Sequence, residues 1–121
     1  MASITVIIAD DHTILRKGIV SLLQDETDID VIGEASNGQE ALDLISEKKP
    51  DVAIMDISMP GLNGIDVTRR ATKVNPGTKI LMLSMHGARQ YVVNSLKAGA
   101  SGYILKKNAV NELTAGIRMV M

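Results

Sequence analysis

The chain has 121 residues, 45% of them hydrophobic, with 13 lysines and arginines against 14 acids and a formal charge of −1. This size suits a full core in one compact domain and leaves no room for a second, and the near-neutral balance lacks the broad positive field of a nucleic-acid-binding surface. The absence of cysteine excludes disulfides, thiolate catalysis and zinc–thiolate sites, so any metal is expected on oxygen ligands, and two tyrosines are too few to build stacking platforms for bases or a flavin ring.

The first apolar run, Ile4–Ala9, is too short to span a bilayer. It ends at Asp10 and Asp11, with no basic leader or small-residue cleavage site, which predicts a soluble, cytoplasmic protein without a membrane anchor. Ile14, Leu15, Gly18, Ile19, Leu22 and Leu23 then recur at helical spacing. A second strand is expected over 30–35. Asn37 followed by Glu40 reads as a capping box that opens a helix carried by Ala41, Leu42 and Ile45. Residues 52–55 are apolar throughout, as a strand covered on both faces must be, and Ile65, Thr68, Ala71 and Val74 mark the next helix. Strands over Lys79–Ser84 and 101–105 enclose a helix with Val92, Val93 and Leu96. A last helix carries Val110, Leu113 and Ile117, with Asn108 as its cap. That helix reaches Met121 without a glycine or proline stop, so the natural protein is expected to continue. Five βα units in succession predict an α/β fold, a doubly wound (βα)5 flavodoxin-like sandwich around a parallel sheet of order 2-1-3-4-5.

In such a sheet, ligands bind beyond the carboxyl ends of the strands. Asp10 and Asp11 follow the first strand, Asp56 the third, Ser84 ends the fourth and Lys106 follows the fifth, so these groups should meet on one rim. Three carboxylates there repel one another, and Mg2+, which takes a few carboxylates and keeps several waters, is the natural counter-ion. The backbone carbonyl of Ser58 is a further candidate ligand. Beside such an ion Asp56 can act as a nucleophile toward a phosphoryl group, with Lys106 as the second cation and Ser84 donating to a phosphate oxygen. The loop 57–64 contains Pro60, Gly61 and Gly64, residues that turn a chain sharply at a site edge. His12 reads as facing solvent or the site edge. Met55, Met82 and Met85 read as core or rim packing, and Lys107 as a surface lysine.

The pattern Ala9-Asp10-Asp11-His12, Met55-Asp56, Met59-Pro60-Gly61-Leu62-Asn63-Gly64, Ser84 and Gly102-Tyr103-Ile104-Leu105-Lys106 resembles the receiver domain of two-component response regulators, over the whole chain. Arg16 and Gly18, the run 33–38 and the run 97–103 resemble the NarL/FixJ-type transcriptional regulators of the LuxR kind. The resemblance implies Asp56 as phosphoacceptor, Asp10, Asp11 and Asp56 at a Mg2+ site, Lys106 as phosphate partner, Ser84 as switch hydroxyl and Tyr103 as a rotating aromatic. It also implies a sensor histidine kinase as donor and a homodimer on activation. DNA binding would come from a carboxy-terminal helix-turn-helix domain outside this chain; a stand-alone receiver acting by protein–protein interaction is the alternative. Ser58 and His86 occupy positions that resemble those setting phosphate lifetime. Met85 stands where many receivers have a small residue, so it too is expected to tune rates. Lys107 stands where many have proline, which leaves the isomer of the 106–107 peptide open. The expected role is a phosphoacceptor signalling module, not an enzyme. An aspartate-nucleophile phosphohydrolase would need an acid at position 58, where Ser58 stands, and Asp10 and Asp11 would repel a flavin phosphate.

Overall fold

The computed structural model describes residues 3–85 and 87–121, so His86, one of the expected rate-tuning positions, lies outside the described residues. The elements alternate as β1 (Ile4–Ala9), α1 (Thr13–Gln24), β2 (Ile29–Ala35), α2 (Gly38–Lys48), β3 (Val52–Asp56), α3 (Gly64–Val74), β4 (Lys79–Ser84), α4 (Arg89–Ala98), β5 (Gly102–Leu105) and α5 (Ala109–Val120). The strands pair in parallel in the order β2-β1-β3-β4-β5, which is the expected flavodoxin-like arrangement. Every expected strand is present within a residue or so of its expected bounds.

Side chains alternate across the pleat, so each strand feeds two cores. Ile7, Ala53, Met55, Ile80 and Met82 pack with Ala41 and Ile45 of α2 and Val67 and Ala71 of α3. On the other face Val6, Ile8, Ile54, Leu81 and Leu83 pack with Ile19 and Leu23 of α1 and Leu113 and Ile117 of α5. Burial on both faces explains why β3 and β4 are apolar without alternation. Asp10 and Asp56 are buried at the carboxyl ends of the two central strands.

Four local expectations need correction. Leu96 is 51% exposed, and α4 instead buries the small residues Ser95 and Ala98. Ile14 and Val110, counted toward the apolar faces of α1 and α5, are exposed. The Asn37 side chain accepts from the Glu40 N–H as expected, but the Glu40 carboxylate bonds the N–H and hydroxyl of Ser36, one residue earlier than a reciprocal capping box requires. Asn108 makes no side-chain cap. A 3-10 turn over Lys106–Asn108 leads into α5, and the Ala109 N–H is taken by the Lys106 carbonyl. No described peptide bond is cis, so Lys106–Lys107 is trans. No helix among the described residues is long and apolar enough to cross a membrane.

Candidate functional site

Parallel pairing of β1 with β3 sets Ala9 opposite Met55, which places Asp10 and Asp56 side by side where the two strands end. On the far side of β3, Asp56 pairs in register with Leu83, and Ser84 pairs with Leu105, so Ser84 and Lys106 come from the next two strand ends. The Lys106 ammonium reaches in from the start of the 3-10 turn and stands 3.1 Å from Asp10 Oδ2 and 3.2 Å from Asp56 Oδ2. All three side chains are almost wholly buried. Asp11 is about one-third exposed at the mouth of the site.

The β1–α1 turn is held by specific bonds. Asp10 Oδ1 accepts the His12 N–H at 2.8 Å, and the Arg16 guanidinium donates to the Asp10 carbonyl at 2.6 Å while its Nε pairs with Glu34 at 3.1 Å. Across the site, the Ser58 N–H donates to Asp56 Oδ1 at 3.2 Å. The β3–α3 loop closes tightly over the strand because Gly64 lies against the Asp56 carbonyl oxygen, where a methyl group would overlap it. Gly38 likewise lies against the Leu62 carbonyl, so the start of α2 packs directly on the same loop. Gly61 has a φ of +75°, a conformation suited to glycine.

One lysine faces two buried carboxylates and a third at the surface, which leaves an excess of negative charge. Burial, and then the Asp10 charge, push the Asp56 carboxyl up to about 6, against the opposing pull of Lys106 and the Ser58 N–H. The buried Asp10 Oδ2 and Asp56 Oδ2 both face the single Lys106 ammonium, at 3.1 and 3.2 Å, and share its one charge. Buried carboxylate oxygens in that condition are costly, and a further cation relieves both repulsion and desolvation. Asp10, Asp11, His12 and Asp56 each present a donor atom within 4.8 Å of the others. Among the described residues this donor set, with three carboxylates and a partly exposed Asp11 at its mouth, fits a hard divalent ion.

The groups expected on the rim thus occupy one rim. Ser84 is buried at the end of β4. Tyr103 is half-buried, packs against the core beneath α3 and pairs in register with Met82. Met55 and Met82 are core residues, whereas Met85 is 74% exposed and packs little. Lys107 is exposed, as expected. Sequence reasoning did not give Arg16 its bond to the Asp10 carbonyl or His12 its contact with the acids. The His12 side chain is largely exposed at the site edge, as expected, and its Nδ1 lies 2.9 Å from Asp10 Oδ1 and 3.2 Å from Lys106 Nζ. The signal available was a histidine two residues after a buried strand-end acid, in a turn that folds back on it.

A family model described as the response regulator receiver domain matches residues 6–118. The transcriptional regulatory protein DegU of Brevibacillus brevis is 38% identical over 117 residues, 97% of this chain and 50% of that protein. The oxygen regulatory protein NreC of Staphylococcus haemolyticus is 40% identical over 116 residues, 95% of this chain and 54% of that protein. The chain therefore spans about half the length of these relatives. Among solved structures, the signal receiver domain of the putative response regulator NarL from Mycobacterium tuberculosis superposes with a TM-score of 0.90 at 33% identity, covering 99% of this chain and 98% of that one.

Proposed function

The chain belongs to the response regulator receiver domain family, and from that premise we propose that it is switched by transfer of a phosphoryl group from a sensor histidine kinase to Asp56. The observation that carries this reading is the buried pair of Asp10 and Asp56 bridged by Lys106 at 3.1 and 3.2 Å, an arrangement that suits a nucleophile beside its cation. An Asp56 carboxylate oxygen attacks phosphorus, the new O–P bond forms as the donor's P–N bond breaks, and the released imidazole takes up a proton. Lys106 pairs with Asp56 before transfer and with the phosphoryl oxygens afterwards. The Ser58 N–H holds Asp56 in orientation. Asp10, Asp11 and Asp56, with the Ser58 carbonyl, would hold Mg2+, which supplies charge neutralisation for the transferring oxygens.

The Ser84 hydroxyl, on the adjacent strand end, then moves to a phosphoryl oxygen, and Tyr103 on β5 repacks with it. That shifts a pre-existing equilibrium by the differential energy of these contacts. Met85, Ser58 and His86 tune the lifetime of the phosphorylated state. The name of the DegU relative, a transcriptional regulatory protein of which this chain spans half, supports a role in transcription control; on this reading the protein acts in the cytoplasm, dimerises on activation and meets DNA through a domain outside this chain. Intact-mass analysis after incubation with acetyl phosphate and Mg2+ tests the core of the proposal. One added phosphoryl group, lost with a chelator and absent in Asp56→Asn, is the expected result; equal labelling of the variant overturns it.

A further inference from the structure

The charges of the chain cancel in sum but not in place. From Val67 to Asn111 there are eight lysines and arginines and no acid, whereas the acids crowd the first half of the sequence. The boundary falls between two neighbouring helices. α2 and α3 pack side by side over one face of the sheet, and α2 begins against the loop that leads into α3. Each has 11 residues and buries one stripe, Gly38, Ala41 and Ile45 in α2 and Gly64, Val67, Thr68 and Ala71 in α3. The opposite, exposed stripe of α2 is Glu40, Asp43 and Glu47, and that of α3 is Arg69, Arg70 and Lys73. An acidic ridge thus runs beside a basic one.

Helix stability does not ask for this arrangement. Unlike charges three or four residues apart support a helix and like charges oppose it, yet Asp43 with Glu47 and Arg69 with Lys73 are like pairs four apart, and Arg70 with Lys73 a like pair three apart. Glu47 also stands in the last turn of α2, where the helix dipole disfavours an acid. Asp66 takes Arg69 at 3.0 Å within α3, but among the described residues no ion pair joins the two ridges or engages Asp43, Glu47, Arg70 or Lys73.

A second copy of the same face satisfies both ridges at once. The two helices run in the same direction from the same rim, as crossovers of a parallel sheet do. A two-fold axis parallel to them, in the plane of contact, therefore lays α2 of each copy on α3 of the other. Asp43, sixth residue of α2, then meets Arg69 and Arg70, sixth and seventh of α3, and Glu47 meets Lys73, both tenth in their helices. An axis across the helices would set acid on acid. We propose that the α2–α3 face is a contact surface for a second copy of this chain, forming a closed two-fold pair held by reciprocal acidic and basic ridges. It uses no group of the phosphoacceptor site, so it is additional to dimerisation on activation and forms whether or not Asp56 carries phosphate. Exposed ion pairs are individually weak and screened by salt, so the pair is transient, with a Kd on the order of 1 mM at low ionic strength.

Sedimentation equilibrium of the whole chain at about 1 mM, at ionic strengths of about 0.01 and 1 M, tests this. The chain should pair at the lower ionic strength and at least about tenfold more weakly at the higher. Arg70→Glu with Lys73→Glu turns the α3 ridge acidic like its neighbour, and Asp43→Lys with Glu47→Lys turns the α2 ridge basic. Each double variant should lose self-association, an equimolar mixture of the two should pair, and a chain carrying all four substitutions should again pair with itself. Loss of folding cannot produce that pattern. Association that ignores salt or either reversal, a mixture that stays monomeric, or species larger than a dimer overturns the proposal. So does a chain that stays monomeric while its α3 ridge retains duplex DNA in a salt-dependent way, which gives the basic ridge to nucleic acid instead. Should the variants fail to fold, amide shifts of the unsubstituted chain on dilution decide: changes centred on α2 and α3 support the contact, and changes elsewhere overturn it. Asp56→Asn should pair like the unsubstituted chain, and both double variants should be labelled normally by acetyl phosphate, so phosphoacceptance and this contact stand or fall separately.

Discussion

Removing the proposed phosphoacceptor's charge should make the fold more stable, and the size of the effect follows from its surroundings. Asp56 is buried, shares one lysine with Asp10, and has its carboxyl pushed from 3.8 to about 6, chiefly by burial. At 1.36 kcal/mol per unit, holding it ionised above that range costs about 3 kcal/mol relative to the unfolded chain. An amide in place of the carboxylate would keep the shape and an oxygen for the Ser58 N–H while removing the charge, so Asp56→Asn is expected to be about 1–3 kcal/mol more stable at pH 7.5 without divalent ions. The sign is checked by linkage. Between about 4 and 6 the folded state binds more protons than the unfolded one, so stability of the unsubstituted protein falls as pH rises through that window. The variant lacks that slope, and its advantage should fade below about pH 4. Urea unfolding followed by circular dichroism at pH 7.5, 5 and 4, with unchanged m-values, measures the difference. Mg2+ at 100 times its Kd should add about 2.7 kcal/mol to the unsubstituted protein and much less to the variant, closing the gap. A less stable variant at pH 7.5, or an advantage that persists undiminished at pH 4, refutes the reasoning.

Lys106→Ala leaves two buried carboxylates without their cation, and at pH 7.5 should cost about 3 kcal/mol in urea unfolding while sharply reducing Asp56 labelling by acetyl phosphate. Gly64→Ala forces a methyl group against the Asp56 carbonyl and should cost about 1–3 kcal/mol. Gly18→Ala is the contrast, since Gly18 lies within α1 with open space where a methyl would go, and it should gain about 0.5–1 kcal/mol in the same assay. Arg16→Ala removes the donor to the Asp10 carbonyl and the pair with Glu34; Mg2+ affinity, read by competition against Co2+, should fall about tenfold as the β1–α1 turn loosens.

Periodicity carried the fold because the two cores impose it. β3 and β4 are buried on both faces and so read as unbroken apolar runs, and α2 and α3 show their packed faces through Ala41, Ile45, Thr68 and Ala71. It failed where packing departs from hydrophobicity. In α4 the buried positions are Ser95 and Ala98, whose small side chains allow close approach, and the Ser95 hydroxyl is satisfied by the Tyr91 carbonyl at 2.7 Å. Apolar content alone pointed to Leu96, which is exposed. Asn108 failed as a cap for a different reason, since the 3-10 turn already supplies the backbone partner that a cap would replace.

The site was legible to the extent that topology determines it. Strand ends of a parallel sheet share a rim, so any reading that placed five strands also placed Asp10, Asp56, Ser84 and Lys106 together. What topology leaves open is how each loop folds back. His12 and Arg16 belong to the same turn and the start of α1, yet one reaches inward to the acids and the other grips the Asp10 carbonyl from Glu34's side. Neither direction is encoded in spacing. Both follow from charge, because a turn carrying two acids against a third draws every nearby donor toward itself. The ring of His12 stands at Asp10 Oδ1 and the ammonium of Lys106 at Asp10 Oδ2, so a cation arriving at that carboxylate meets both. Affinity for an ion is thus a property of the whole turn rather than of the carboxylates alone.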